Sequence, residues 1–343
     1  MLSPAPTRPA PSRVRQHSSP ANAAAPIMDL APAQAYAGSV PAVIGWATFG
    51  AAWVVFALVG WGRWIASDRF SPQPKGPDRL SAAHHILING YQVVAVTVLI
   101  TMVTIYMFKP WVRTRRLSLD GMLLIGSTLA FFQDPVINYF RYTFGWNAYA
   151  INMGSWGSFI PGSQGSQNYG EGLAWAWPDY IVFSVVGAVS GCWLVARLRT
   201  RFPRLGTPAA FATFFAMFFL AASILENLRV RFELYSYART VKALTLWSGQ
   251  YYQWPLYEGL LGACGATVFL YVRWRWQTGG RSFLDAGIER LRVTERTRRG
   301  ILLLAVIGFS GATWFVLWFA PWALQSLGAD SSAHLPSYMQ QGP

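Results

Sequence analysis

Charge is scarce in this chain. Only 12% of its 343 residues are Asp, Glu, Lys or Arg, where an ordinary soluble domain carries about 25%. That deficit excludes a surface built to meet water on all sides. Acid is scarcer than base, 14 against 28. The two cysteines, Cys192 and Cys264, lie in separate apolar runs. They make neither a disulfide framework nor a metal cage and read as small buried hydrophobes. There is no P-loop, no G-x-S-x-G elbow, no H-E-x-x-H and no Cys/His metal spacing. No nucleotide, flavin or metal cofactor is indicated. Strict apolar–polar alternation over ten-residue segments is missing too, which excludes a transmembrane β-barrel. No strong internal repeat stands out, so an inverted-repeat transporter gains no support.

The chain has apolar length in its place. Hydrophobic residues make up 53% of it, gathered in runs near the roughly 20 residues an α-helix needs to cross a bilayer. The spacing predicts an all-α, polytopic transmembrane bundle of about seven spans: Val40–Trp61, Ile86–Phe108, Leu119–Tyr139, Ala176–Leu198, Pro208–Leu228, Tyr251–Val272 and Gly300–Ala320. Residues 1–38 are rich in Pro and Ala and are expected to be disordered. Residues 39–322 form the helical domain, and 323–343 a short C-terminal tail. Gly187 and Gly191, four apart, are candidates for close helix approach.

The net charge of +14 does not point to nucleic acid, because the basic residues fall between the apolar runs. Seven spans put 19 of the 28 lysines and arginines on the side of the N-terminus and 9 on the other. The positive-inside rule then makes the N-terminus cytoplasmic and the C-terminus external. The run Arg281, Arg290, Arg292, Arg296, Arg298 and Arg299 reads as a cytoplasmic anchor to anionic lipid. Tryptophan and tyrosine, 17 and 15 residues, suit the two interfaces.

The loop from Phe140 to Trp175, between the third and fourth spans, carries two charges, Arg141 and Glu171, amid aromatic and Gly-rich sequence. A loop of that length is often functional, and it would suit a cap over the helix ends. Ionisable groups within spans are functional candidates by default, and four acids qualify: Asp134, Asp179, Glu226 and Glu258. Chain direction puts all four near the non-cytoplasmic surface, along with His84, His85 and Asn89. A carboxyl group in a half-dry site is a usable general acid near neutral pH. Structural readings stand beside the chemical one. Asp134 could cap or kink a helix end beside Pro135. Asp179 could answer a helix dipole, and Glu226 could pair with Arg229 or Arg231. The two histidines could be interfacial polar residues, and Asn89 a helix–helix hydrogen-bonding group.

The stretch FFQDPVINYFRYTFGWNAYAINMGSWGSFIP, Phe131–Pro161, resembles the AveC-like spirocyclases, actinobacterial membrane proteins. The resemblance lies in Gln133, Asp134, Pro135, Asn138 and Tyr139. It continues through Trp146, Asn147 and Asn152 to the turn Gly154, Ser155, Trp156, Ile160, Pro161 and Gly162. The ENLRVR of Glu226–Arg231 is also similar. Members known for avermectin-type and milbemycin-type macrolides close a 6,6-spiroketal from a dihydroxyketone, and some also dehydrate the product. The resemblance implies a cofactor-independent membrane enzyme acting on a lipophilic polyketide, in a bacterial cell membrane.

On that expectation Asp134 and Glu258 are the general acid and its carboxylate partner, with Asp179 and Glu226 as supporting acids. Asn138, Tyr139, Asn152, Trp156 and Asn89 are the expected substrate contacts. The rival readings are a proton-coupled transporter of a lipophilic metabolite, using the same acids as carriers, and a membrane scaffold recruiting soluble enzymes through its basic loops.

Overall fold

Seven helical segments follow the apolar runs; most are longer than the run that predicts them, but the third α-helix stops at Ala130 and the sixth keeps its length, shifted by five residues. The computed structural model describes residues 41–164, 168–280 and 282–340. The Pro/Ala-rich start through residue 38 and Arg281 therefore lie outside the described residues. The segments are α1 (Ala42–Ile65), α2 (Ala82–Thr114), α3 (Leu119–Ala130), α4 (Ala176–Arg201), α5 (Thr207–Arg231), α6 (Leu256–Gln277) and α7 (Glu295–Gly328). After α3 the chain tightens into a 3-10 helix, Phe131–Asn138. Five of the seven, α1, α2, α4, α5 and α7, are long and apolar enough to cross a membrane on their own composition.

Of the other two, α3 is apolar but only 12 residues long, and α6 is more polar; both run largely inside the bundle. Asp120 of α3 and Arg273 of α6 are almost fully buried and pair bidentately, at 2.8 and 3.1 Å. Both segments still reach from end to end. At about 1.5 Å per residue, the 22 residues of α6 extend roughly 33 Å. The 12 residues of α3 and the eight of its 3-10 extension come to about the same length.

Loop positions show that all seven segments traverse the bundle. The first, third and fifth loops and the C-terminal segment meet in one layer. The Gln73 amide donates to Asn152, the Ala148 amide to the Tyr338 carbonyl, and the Ser337 amide to Asp78. Strand β1 (Phe144–Trp146) pairs antiparallel with β2 (Tyr235–Tyr237), and β3 (Arg239–Thr240) pairs with β4 (Ser331–Ser332). Loops separated by two helices can share a layer only if both helices cross. The layer is the aromatic cap expected of Phe140–Trp175, with one difference: much of it is buried, and three other segments build it too. Residues of the C-terminal segment are part of it, Tyr338 and Met339 being buried.

Polar caps set several helix starts. Ser81, Ser118 and Thr294 each accept an amide three residues on, opening α2, α3 and α7. Because α7 begins at Glu295, Arg296, Arg298 and Arg299 belong to a helix and not to a loop. Arg298 is buried and donates to the Leu291 carbonyl, so that arginine holds the fold instead of facing lipid. The closest helix approach is between α1 and α7. A Cβ on Gly50 would lie 1.9 Å from the Leu304 carbonyl oxygen, and one on Gly308 would lie 2.4 Å from that of Trp46. Gly187 and Gly191 admit side chains instead of a backbone, the rings of Phe218 and Phe214.

A cavity lined by carboxyl groups

Pro135 decides the end of α3. Its ring clashes with the carbonyl four residues back and it offers no amide hydrogen. The α-helix gives way at Phe131, and the tighter 3-10 turn carries Asp134 inward. Gln133, the preceding residue, anchors that turn by donating to the Gly311 carbonyl of α7. Two other walls of the same space contain wide π-turns, Val182–Val186 in α4 and Phe315–Phe319 in α7. Such turns recur at functional sites.

Between these elements lies a cavity of about 90 Å³. Asp134, Asp179, Glu226 and Glu258, from four different segments, all line it. Sequence reasoning expects them in one layer; the structure brings them into one chamber. The rest of the lining is largely aromatic, including Trp146, Trp175, Tyr180, Tyr235, Tyr237 and Trp314.

The carboxyl groups fall into two sets. In the first, Asp134 accepts from the Trp146 indole N–H at 2.8 Å and from the Tyr180 hydroxyl. Behind it stands Glu171, fully buried, which takes the same indole N–H at 3.1 Å and the Ser155 hydroxyl at 2.6 Å. Asp134 and Glu171 thus meet at the one Trp146 indole N–H. Burial, followed by the charge of Asp134, pushes the Glu171 carboxyl well above the usual carboxylate range.

The second set centres on Arg229. Its guanidinium bridges Asp179, at 2.7 and 2.9 Å, and Glu226, at 2.7 Å, and it also donates to the Tyr91 hydroxyl of α2. The Tyr237 hydroxyl donates to Glu226 at 3.4 Å and also contacts Glu258. Of the five carboxyl groups, Asp179 and Glu226 pair with the Arg229 guanidinium, while Asp134, Glu171 and Glu258 have no ion pair among the described residues to offset a buried charge.

Four donors on lining residues have no partner among the described residues: the Trp175 and Trp314 indole N–H groups, the Tyr235 hydroxyl and the Arg229 Nε–H. A buried unsatisfied donor is costly, and a ligand rich in acceptor oxygens would relieve it.

The expected substrate contacts lie elsewhere. Asn138 and Asn152 are spent on the cap. The first accepts from the Thr143 and Phe144 amides and donates to the Phe144 carbonyl. The second accepts from the Gln73 and Gly154 amides and donates to Ala148 and Ala150. Trp156 is buried and donates to the Phe132 carbonyl. Tyr139 donates to Pro161 and faces a separate apolar groove between α1 and α7. Asn89 is exposed on α2 and meets Gln92. His84 reaches Glu233 at 2.8 Å, and His85 lies edge-on to Tyr149, both in the cap. Sequence reasoning missed Glu171, Tyr180, Trp146 and Tyr237. Glu171 left a signal as one of two charges in a long apolar loop, and Trp146 as part of the stretch that carries the family resemblance.

A family model described as spirocyclase AveC-like matches residues 114–342. No curated protein and no solved structure matches the chain.

Proposed function

The chain belongs to the AveC-like spirocyclase family, and from that premise we propose that it closes a spiroketal from a dihydroxyketone of polyketide origin inside the carboxyl-lined cavity. The observation that carries this reading is the convergence of Asp134, Asp179, Glu226 and Glu258 on one aromatic chamber.

Spiroketal closure adds one hydroxyl to a ketone, expels the resulting hydroxyl as water through an oxocarbenium ion, and captures that ion with a second hydroxyl. Asp134 delivers the proton to the departing hydroxyl. Glu258 faces the same cavity as a carboxylate that stabilises the cation and takes the proton of the attacking hydroxyl. Arg229 does not repel the cation, because Asp179 and Glu226 already offset its charge. The faces of Trp146, Trp175 and Tyr235 favour a cation through their quadrupoles. The unpaired donors of Trp175, Trp314 and Tyr235 suit a substrate carrying several ketone, hydroxyl and ether oxygens. A closed pocket that admits one folded conformer sets the spiro stereochemistry.

A lipophilic substrate of this kind partitions into the bilayer, which gives the reaction a reason to sit there. The asymmetry of basic residues supports a cytoplasmic N-terminus, and with it a cavity towards the outer face of a bacterial cell membrane. Dehydration of the closed product would draw on the same acids.

The test is conversion of a synthetic dihydroxyketone by purified, detergent-solubilised protein. Formation of a single spiro epimer by the wild type, and of the uncatalysed epimer mixture by both Asp134→Asn and Glu258→Gln, supports the assignment. Full selectivity in both variants overturns it. Conversion without a membrane gradient also separates this reading from proton-coupled transport.

A further inference from the structure

Glu171 does not line the cavity, yet among the described residues no carboxyl group is more deeply buried. It stands directly behind Asp134, and the Trp146 indole N–H holds both carboxyl groups at once, 2.8 Å from Asp134 and 3.1 Å from Glu171. One hydrogen shared between two acceptors satisfies neither fully. Two carboxylates on one donor, away from water, repel each other strongly. The arrangement relaxes when one proton lies between them, the pattern of paired catalytic carboxyls elsewhere. On its far side, Glu171 accepts from Ser155, which together with Tyr169 lines an outward crevice at the cap. The pair therefore lies between the reaction chamber and a polar opening.

We infer that Asp134 and Glu171 act as a single one-proton unit, with Glu171 the positioning residue that keeps the proton available to Asp134 and a second negative charge ready behind it. This rests on the spirocyclase reading for its purpose but not for its test. In the reaction, the unit gives its proton to the departing hydroxyl, the carbon–oxygen bond breaks, and water leaves. The unit then carries two negative charges opposite the oxocarbenium ion, so the cation faces twice the charge that a lone aspartate would supply. The second hydroxyl captures the ion, and the proton it releases passes by way of Glu258 back to the unit. One turnover leaves every carboxyl as it began.

The titratable groups facing Glu171 are Asp134 from the extension of α3, Tyr180 from α4, and Tyr142 and Tyr169 from the cap. A shared proton must appear as coupling between two sites. The experiment is infrared titration of the protonated-carboxyl band in the purified full chain, for the wild type, Glu171→Gln, Asp134→Asn and the double variant. Glu171→Gln keeps an acceptor for Ser155 and Trp146, so it preserves the cap.

The expected result is that each single variant removes the same band and the double variant removes nothing further. Two independent, additive losses overturn the inference. Ser155→Ala provides a second reading if a carboxyl variant does not fold. Loss of that donor should move the midpoint of the band to higher pH, and an unmoved midpoint is equally fatal. Because no substrate is involved, failure here leaves the spirocyclase reading standing, and failure of catalysis leaves this test intact.

Discussion

Asp134 and Glu171, 37 positions apart in sequence, are held by one hydrogen, that of the Trp146 indole. Trp146 comes from β1 in the cap and reaches down to a carboxyl at the end of α3. Replacing it with Phe keeps the ring and deletes the donor. A hydrogen bond to a charged group contributes about 1.5–3 kcal/mol, so Trp146→Phe should lower kcat by about 10- to 100-fold. KM should change little, since the wall remains aromatic. Steady-state kinetics on a dihydroxyketone separates the two parameters.

Glu171 should also show itself in stability. Its folded pKa lies above the ordinary value of 4.5, so between 4.5 and the raised value the folded state binds more protons than the unfolded one. Its contribution is fully present below 4.5 and is lost as pH rises through the folded pKa. Thermal unfolding in detergent should therefore give a Tm that falls with rising pH across that interval. Glu171→Gln should flatten the fall by up to about 1.4 kcal/mol per pH unit, the share of one proton. A wild-type slope that survives the substitution would assign the effect to other groups.

Arg229 and Glu258 should separate structure from chemistry. Arg229→Gln leaves Asp179 and Glu226 buried without their cation, and breaking such a set costs roughly 3–5 kcal/mol. Lysine should not rescue it, because the bridge to two carboxylates needs the planar fork. Glu258→Gln breaks no ion pair. It should leave the unfolding temperature nearly unchanged while kcat falls by about 10²–10⁴-fold.

At the contact of α1 with α7, even one methyl group has no room. Gly50→Ala should destabilise by roughly 1–3 kcal/mol through overpacking. Gly90, which has open space where a Cβ would sit, should tolerate alanine within about 0.5 kcal/mol. Paired thermal melts of the two variants check the difference.

Much of this was legible in sequence for a physical reason. A bilayer forces helices to be apolar and of set length, so their number and direction follow from composition. Depth along each helix then places Asp134, Asp179, Glu226 and Glu258 in one layer. The Glu226–Arg229 pair, three residues apart, was readable from helix geometry. Arg229 reaching Asp179 was not, because it depends on how α4 packs against α5. Glu171 lies in a loop, where no periodicity reports burial. Asn138, Asn152 and Trp156 misled for a related reason. Polar and aromatic residues in a Gly-rich loop suit a ligand or a cap equally well, and here they satisfy the backbone amides and carbonyls of the cap itself. Helix α6 shows the limit of hydropathy: a helix shielded from lipid by its neighbours need not be strongly apolar.

The roof over the chamber includes residues close to the C-terminus. Tyr338 donates to Glu233, its own carbonyl accepts from Ala148, and Tyr142 donates to the Met339 carbonyl. During synthesis these residues emerge after all seven helices, so this part of the cap closes last: a nascent chain can have every helix inserted while its contacts to Glu233, Ala148 and Tyr142 are still unmade.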